Sequence, residues 1–280
     1  MTSRDWHGDR RAVFDRDDHT CRRCGATDST SDDDAATADL RCYPVGDISL
    51  EGDVHGSSLV TVCEPCFTSL QGGPATSGER PDDETLFTLA RELTQRQGVT
   101  VSAVASFASI ATSLPATLET AGDDDESQTD AESEYRQARR EVLLAIDSVP
   151  SRLERLAAVD ETALEPGVGE PLAELVEAAR KLQDELRQIV SHCEGVPSAI
   201  GRCPGCLEST EETTTDECPT CGVSAESTEG EATNTDVDSM EGRFQAINGT
   251  LQDASATTET LTDCAGTVAT ELRGEPNSPQ

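Results

Sequence analysis

Two segments in the second half of the chain repeat apolar residues at alternating steps of three and four positions. One covers residues 171–193, the other covers residues 240–272, and a shorter copy covers residues 131–149. This heptad spacing keeps one apolar seam on a single side of a helix, so it predicts long helices that each pack against a partner. An intramolecular bundle of two or three helices is the favoured interpretation, and a dimeric coiled coil is the alternative.

The apolar pattern of residues 81–118 predicts a pair of helices. Pro81 is typical of a helix start and Gly98 of a helix end, so Gly98 divides the segment. Residues 99–118 contain no charged side chain. In a chain this acidic, we expect that second helix to be the best-buried element. A membrane span is the alternative by length, but the many Ser and Thr residues and the internal Pro115 disfavour it.

Local signals in residues 1–72 predict a small mixed unit. A short helix is expected near residues 9–16, two strands at 40–45 and 58–63, and a helix from Glu64. The fold class is therefore α+β: a small ββα domain followed by a mainly α-helical region.

Two further signals divide the helical region. The spacing of Ser151 and Glu154 is that of a capping box and predicts a helix at 151–159. Residues 122–130 are rich in acidic side chains and predict a linker. The chain then divides into five parts, which are residues 1–72, 81–118, 130–193, 201–223 and 238–273.

Composition adds information about the solvent. The 280 residues include 55 acidic and 21 basic side chains, for a net charge of −34, and 20 of the basic residues are Arg. An acidic excess with almost no Lys is typical of proteins from salt-accumulating halophiles. At about 1 M salt the Debye length is only about 3 Å, so the self-repulsion would be screened. A mostly disordered acidic protein is the alternative, but the periodic segments disfavour it for the whole chain.

The eleven cysteines point to metal binding, because eight of them form four CxxC pairs. Residues 1–11 are polar and carry no secretory signal, which predicts a cytoplasmic protein, where paired thiols are metal ligands more often than disulfides. Two CxxC turns give four thiolates, which close the tetrahedral shell of a structural zinc ion. Two zinc sites are therefore predicted. One is formed by Cys21, Cys24, Cys63 and Cys66 of the ββα domain, and the other by Cys203, Cys206, Cys218 and Cys221 of a zinc ribbon at 201–223, inserted in the helical region. The remaining Cys42, Cys193 and Cys264 are expected to be small buried residues.

The N-terminal unit resembles the zinc-containing branch of the HNH endonuclease family. The residues that carry the resemblance are Trp6, 10–14, 16–25, Leu40 and 59–66, about a quarter of the chain. The resemblance implies a ββα-metal fold that hydrolyses a phosphodiester bond. A strand His would activate water, a neighbouring His or Asp and a helix His would hold one divalent ion, and an Asn would brace the loop.

The sequence departs from the family at each of those positions. Tyr43 stands for the strand metal ligand, Pro44 for the general base, Ser58 for the bracing Asn and Phe67 for the helix ligand. Neither Pro nor Phe has a side-chain proton acceptor or metal ligand. An inactive nuclease-like domain is therefore predicted, and His55 as a substitute base is the alternative.

Arginines at the same unit keep the positive charge that phosphate contacts need. Residues 1–30 hold six Arg and six Asp, so nearly all of the −34 lies elsewhere. The candidate nucleic-acid-binding residues are Arg10, Arg11, Arg16, Arg22, Arg23 and Arg41. Pairing of these arginines with the local Asp residues is the alternative.

Three functional hypotheses follow. The first is a non-catalytic zinc protein that binds nucleic acid, with DNA as the expected partner, or a protein. The second is an active metal-dependent endonuclease that uses other residues. The third is a protein-interaction module in which the helical region contacts a partner or a second copy of the chain. None of the three requires a membrane.

Overall fold

A computed structural model describes residues 6–27, 39–46, 54–72, 81–121, 125–159, 164, 167–210, 217–223 and 239–273. In chain order, the elements are α1 Trp6–Arg16, β1 Leu40–Pro44, β2 Leu59–Cys63, α2 Glu64–Leu70, α3 Asp83–Ala121, α4 Asp125–Asp147, α5 Pro150–Ala157, α6 Gly169–Ala199 and α7 Met240–Leu272. A 3-10 turn, Gly56–Ser58, precedes β2. The structure is mostly helical with one small sheet, which agrees with an α+β class.

The N-terminal unit has the predicted order of two strands and a helix. β1 and β2 are antiparallel, with Tyr43 opposite Val60, and α2 follows β2 directly. All five residues of β2 are buried because both of its faces are covered. Leu59 packs with Val13 of α1 on one face, while Val60 joins the core of the helical region on the other.

The helical region is an intramolecular bundle built around α6. α6 packs against α7 and α3, and α3 also packs against α4 and α7. The heptad seam of α6 is buried, as is every second position of the α7 seam from Ile247 to Val268. The apolar seams of these helices therefore pack against one another within one chain. This is the intramolecular bundle that the heptad pattern favoured.

The predicted helix pair at 81–118 is wrong, because α3 is one continuous helix of 39 residues. Gly98 lies inside it and is exposed. A mid-helix Gly costs about 1 kcal/mol relative to Ala. Leu93, Gln97 and Thr100 are buried on either side of it, so tertiary packing holds the helix together across the weak position.

The expectation that residues 99–118 are the best-buried element is also wrong. They bury one stripe that includes Val104, Phe107 and Leu114, whereas Val99 is 54% exposed. Exposed Ser and Thr hydroxyls on this helix donate to carbonyls of the preceding turn, as Ser102 does to Gly98. A helix surface without charge can therefore still face water. The best-buried helix is α6.

By length and composition, α3 is also long and apolar enough to cross a membrane. Its most apolar 18-residue window has a mean hydropathy of 1.5, and 33% of that window is buried. The core helix of a soluble protein satisfies the same criteria. Within the bundle, the buried stripe of α3 faces α4, α6 and α7.

The predicted starts of α4 and α5 differ from the structure. α4 begins at Asp125, so most of the predicted linker at 122–130 is helical. The predicted capping box is absent, because α5 begins at Pro150 without a side-chain cap bond at its N-cap residue, Val149. α7 has the predicted bounds and is capped by Ser239, whose hydroxyl accepts the N–H of Gly242.

Candidate metal centres

The first cysteine group begins with a tight turn at Cys21 and Cys24. The N–H of Cys21 donates to the Ala26 carbonyl at 2.7 Å, and the N–H of Gly25 donates to the Cys21 carbonyl at 2.8 Å. Gly25 has a φ of +77°, a conformation that side chains other than Gly rarely adopt. The sequence Cys-x-x-Cys-Gly therefore closes a loop that turns both sulfurs to the same side.

The second half of this group stands at the start of α2. Cys63 is the N-cap residue of α2, Pro65 lies in its first turn, and Cys66 follows one residue later. Cys63 is the last residue of β2, which pairs with β1. The N–H of Arg22 donates to the Thr61 carbonyl at 2.9 Å, so β2 lies next to the first knuckle. The four sulfurs lie within 4.8 Å of one another.

The second group consists of two knuckles with the same bonding pattern. Cys203 N–H donates to the Glu208 carbonyl, and Cys218 N–H donates to the Val223 carbonyl, each at 2.9 Å. The residue after each second cysteine again has a positive φ. It is Gly222 at +74° in one knuckle and Leu207 at +62° in the other.

Sulfur spacing in both groups fits one bound ion rather than disulfides. The Cys203–Cys221 and Cys206–Cys218 sulfur pairs are 3.4 and 3.6 Å apart, and the Cys24–Cys63 pair is 3.6 Å apart. A disulfide needs about 2.05 Å. A tetrahedral ion with sulfur ligands at about 2.3 Å separates them by about 3.8 Å. Each group could therefore hold one metal ion, as the spacing of the cysteines predicts.

Local electrostatics favour the thiolate form at one sulfur of each group. Burial raises the pKa of Cys21, but backbone hydrogen bonds from Cys63, Cys24 and Arg23 outweigh it and lower the pKa to about 7. Side-chain hydrogen bonds from Cys206 and Cys221 lower the pKa of Cys203 to about 2. The thiolate is the form that ligates metal.

The second centre is fastened to the bundle by α4. Arg136 donates to the Cys206 carbonyl at 3.1 Å, and Tyr135 donates to the Pro204 carbonyl at 3.3 Å. Leu207 is 2% exposed and belongs to the core of the bundle. The packing of its side chain therefore offsets the strain of its positive φ.

The first centre docks on the same helix, farther along. Arg22 pairs with Glu141 at 2.5 Å, and the N–H of Gly46 donates to the Asp147 carboxylate at 3.0 Å. Cys21 and Cys63 are part of the same hydrophobic core as the bundle. α4 thus contacts both cysteine centres.

Aromatic side chains meet where the resemblance implies a catalytic metal. Tyr43 of β1 and Phe67 of α2 pack edge to face, with ring centroids 6.1 Å apart. Arg41 lies over the Phe67 ring at 5.2 Å and pairs with Glu64. Pro44 is buried opposite Leu59. Ser58 is buried as well, and its hydroxyl is among the buried polar atoms without a hydrogen-bond partner.

His55 and His19 each contact a neighbouring residue of the N-terminal unit. His55 Nδ1 accepts the N–H of Ser57 at 3.2 Å and caps the 3-10 turn. His19 contacts Asp15 at 3.1 Å on the exposed surface. Among the described residues, the two cysteine groups are the clusters of His, Cys, Asp or Glu that could hold a metal ion.

Most of the candidate nucleic-acid-binding arginines have partners within the chain. Arg16 bonds Asp17 and the Gly56 and Leu59 carbonyls. Arg23 donates to the Cys66 carbonyl at 3.2 Å. Arg22 and Arg41 have the carboxylate partners named above. Arg10 also has a contact within the chain, and Arg10 and Arg11 are both exposed on α1.

Sequence reasoning missed the arginines of α4. Arg139 forms a buried ion pair with Glu194 at 2.6 Å, and Arg140 faces the N-terminal unit. Among the remaining cysteines, Cys193 is fully buried as predicted, whereas Cys42 and Cys264 are only partly buried. Comparison with protein-family models, with curated proteins and with solved structures gives no match. Function is therefore inferred from these sites themselves.

Proposed function

We propose that this chain is a non-catalytic, zinc-stabilised protein that binds nucleic acid through its N-terminal unit. In this proposal both cysteine centres hold zinc, and the unit is a degenerate HNH nuclease domain. The protein is halophilic and cytoplasmic, and its partner is DNA.

Zinc is the ion best suited to four thiolates in a tetrahedral shell. Among the described residues, each centre presents four cysteine sulfurs within 4.8 Å and no His, Asp or Glu ligand. A shell closed by four protein ligands leaves no position for water or substrate, so each zinc would be structural. In a chain with 3% aromatic residues, two such ions would supply part of the folding free energy.

The single observation that carries the non-catalytic proposal is the contact between Tyr43 and Phe67. In the HNH pattern, ligands for a catalytic ion stand at these two positions. Here the rings pack edge to face, and Arg41 lies over the second ring. A phenyl ring cannot ligate a divalent cation, and Pro44 cannot accept a proton from water. Loss of the base and both ligands removes metal-assisted hydrolysis.

Charge supports nucleic acid as the partner. Residues 1–30 carry no net charge in a chain of −34, so this segment repels a phosphate backbone less than the rest of the chain does. Arg10 and Arg11 are consecutive exposed residues in the middle of α1. Phosphate contacts require positive charge at the surface and no catalytic group.

A plasmid-nicking assay with Mg²⁺ or Mn²⁺ at high salt tests catalysis. We expect no cleavage above background. Metal-dependent cleavage that disappears in His55→Ala would overturn the non-catalytic proposal and favour an endonuclease with a substitute base.

Binding of duplex DNA at two salt concentrations tests the partner. We expect Arg10→Glu/Arg11→Glu to weaken binding and to reduce its salt dependence. The matched control is Arg180→Glu/Arg187→Glu, which makes the same charge change on exposed positions of α6. Equal effects of the two double variants, or no binding by the unaltered protein, would contradict DNA as the partner.

Metal analysis of reduced protein tests the centres. We expect two zinc ions per chain, one in Cys24→Ser and one in Cys221→Ser. A single zinc ion per chain in the unaltered protein would contradict the proposal that both cysteine centres hold zinc.

A protein partner is the second candidate, and one observation favours it. An apolar cleft of about 260 Å³ lies between α3 and α7, lined by Phe87, Ala90 and Val268 among others. Clefts of this kind between helices are common sites for apolar ligands or partners. If Ala269→Glu abolishes self-association or partner binding while DNA binding is absent, the helical region is the functional part.

A further inference from the structure

A polar cleft of about 160 Å³ separates the N-terminal unit from α4. The first cysteine knuckle and the end of α1 form one wall, and α4 forms the other. Its charged lining residues are Arg16, Asp17, Asp18, Arg22, Arg140 and Glu141, and Gln137 adds an amide. A cavity needs only about 10–15 Å³ of such volume to hold one water, so this cleft has room for a tetrahedral oxyanion.

Most of the charged groups around the cleft are already paired. The Asp17 carboxylate accepts from Arg16 at 2.9 Å and from the Thr61 N–H at 2.7 Å. The Glu141 carboxylate accepts from Arg22 at 2.5 Å and from Gln137 at 3.0 Å. Each of these carboxylates therefore already has an arginine partner other than Arg140.

Arg140 and Asp18 are the exceptions, and Arg140 is the unpaired cation. Its side chain is half-buried, and it has no hydrogen bond or ion pair with any described residue. Burial and the nearby Arg16 guanidinium lower the pKa of Arg140 to about 10, although Asp17 and Glu141 act in the opposite direction. The group remains charged at neutral pH, so the cleft holds a cation that lacks a dedicated counter-ion.

We propose that this cleft binds one phosphate group, with the Arg140 guanidinium as its principal ligand and the edges of Arg22 and Gln137 beside it. Arginine and phosphate form paired, charge-assisted hydrogen bonds, and an arginine that has no internal partner keeps all of its N–H donors for them. The phosphate would come from a nucleic-acid backbone or from free phosphate. The inference rests on the proposed function only for the first source.

Asp18 is a second position at which the proposed phosphate site can be tested. It lines the cleft, is exposed, and its carboxylate has no hydrogen-bond or ion-pair partner among the described residues. Its φ of +53° suits Asn as well as Asp. Removing this negative charge should therefore favour an anion without disturbing the backbone.

Calorimetric titration of the zinc-loaded full chain with inorganic phosphate tests the site. We expect Arg140→Gln to weaken phosphate binding at least about tenfold, which is the size of a lost charged hydrogen bond. Arg180→Gln, which removes one exposed arginine from α6, should change it less than about twofold. Asp18→Asn should strengthen phosphate binding, and a gain of this kind cannot come from misfolding.

The same variants titrated with duplex DNA identify the source of the phosphate. If Arg140→Gln weakens both ligands, the site contacts the nucleic-acid backbone. If it weakens only inorganic phosphate, the site holds free phosphate and the inference still stands. No phosphate binding by the unaltered protein, or equal binding by Arg140→Gln, would overturn the inference. DNA binding that persists in that case would leave the proposed function intact.

Discussion

The hydroxyl of Tyr135 donates a hydrogen bond to the Pro204 carbonyl at 3.3 Å, and this bond joins the second cysteine centre to the bundle. Tyr135 is fully buried, and its ring packs on Phe107 of α3 with centroids 5.4 Å apart. Burial is the main reason that its pKa lies well above the usual value, so the hydroxyl keeps its proton and remains a donor. A cysteine knuckle and the bundle core are thus coupled through one side chain.

The substitution Tyr135→Phe should therefore weaken both parts. It keeps the ring on Phe107 but leaves the buried Pro204 carbonyl without a donor, at a cost of about 1–3 kcal/mol in the free energy of unfolding. Urea unfolding at high salt measures that cost. A chelator should also remove metal faster from the second centre than from the first, which serves as the internal control. Equal rates of metal release from the two centres would contradict the coupling of the second centre to the bundle through Tyr135.

Leu207 combines a strained backbone with a buried side chain, and the two effects can be separated. Leu207→Ala leaves an L-residue at the positive φ but removes its packing in the core. We therefore expect it to lower the free energy of unfolding by about 2–5 kcal/mol. Gly222→Ala, at the equivalent position of the other knuckle, adds only the backbone cost of about 1–2 kcal/mol for an L-residue at positive φ. An added Cβ meets nothing within 4 Å there. The free energies of unfolding of the two variants, both measured with metal bound, show how the loss of core packing compares with the cost of backbone strain.

The cysteine centres are the part of this structure that sequence predicts best. A CxxC turn is local, so Cys21 and Cys24, or Cys203 and Cys206, converge whatever the rest of the chain does. The pairing of Cys63 with the first knuckle needed only the hairpin of β1 and β2, whose apolar pattern is also local. The heptads of α6 and α7 likewise predicted their own partners.

Tertiary context decided what the sequence did not predict. Gly98 is a helix terminator by local preference, yet buried neighbours carry α3 through it. The absence of charge in residues 99–118 suggested burial, because a run of Ser and Thr residues does not reveal that their hydroxyls bond back to the helix. Arg139 and Arg140 are adjacent in sequence, but Arg139 faces Glu194 and Arg140 faces the cleft. Only the packing of α4 distinguishes them.

Arg139 and Glu194 form an ion pair whose side chains are 6% and 12% exposed. Burial alone would lower the pKa of Arg139, but the Glu194 carboxylate outweighs it and raises that pKa. Removing one partner of such a pair leaves a buried charge and costs about 3–5 kcal/mol. We therefore expect Arg139→Met to destabilise the protein strongly. Arg139→Met/Glu194→Leu should recover much of that loss, as a double-mutant cycle by urea unfolding would measure. Additive losses would contradict the pairing.

Asp17 should make stability depend on pH. Burial would raise the pKa of Asp17, but the Arg16 side chain and the Thr61 N–H outweigh it and lower the pKa below its usual 3.8. A carboxyl whose pKa is lower in the folded state adds stability above its unfolded pKa and loses that contribution as pH falls through the folded value. Asp17→Asn should therefore cost about 1–3 kcal/mol at pH 6 and progressively less below pH 4.

The matched control for this change is Asp15→Asn, since Asp15 is exposed near the end of α1 and its carboxylate pairs with the exposed His19 side chain. It should change the free energy of unfolding by less than about 0.5 kcal/mol. Acid also protonates the metal-binding thiolates, but it does so in all three proteins, so the difference between each variant and the unaltered chain isolates the carboxylate. If the cost of Asp17→Asn stays constant from pH 6 to pH 3, the contact between α1 and β2 depends on the packing of the Asp17 side chain and not on its negative charge.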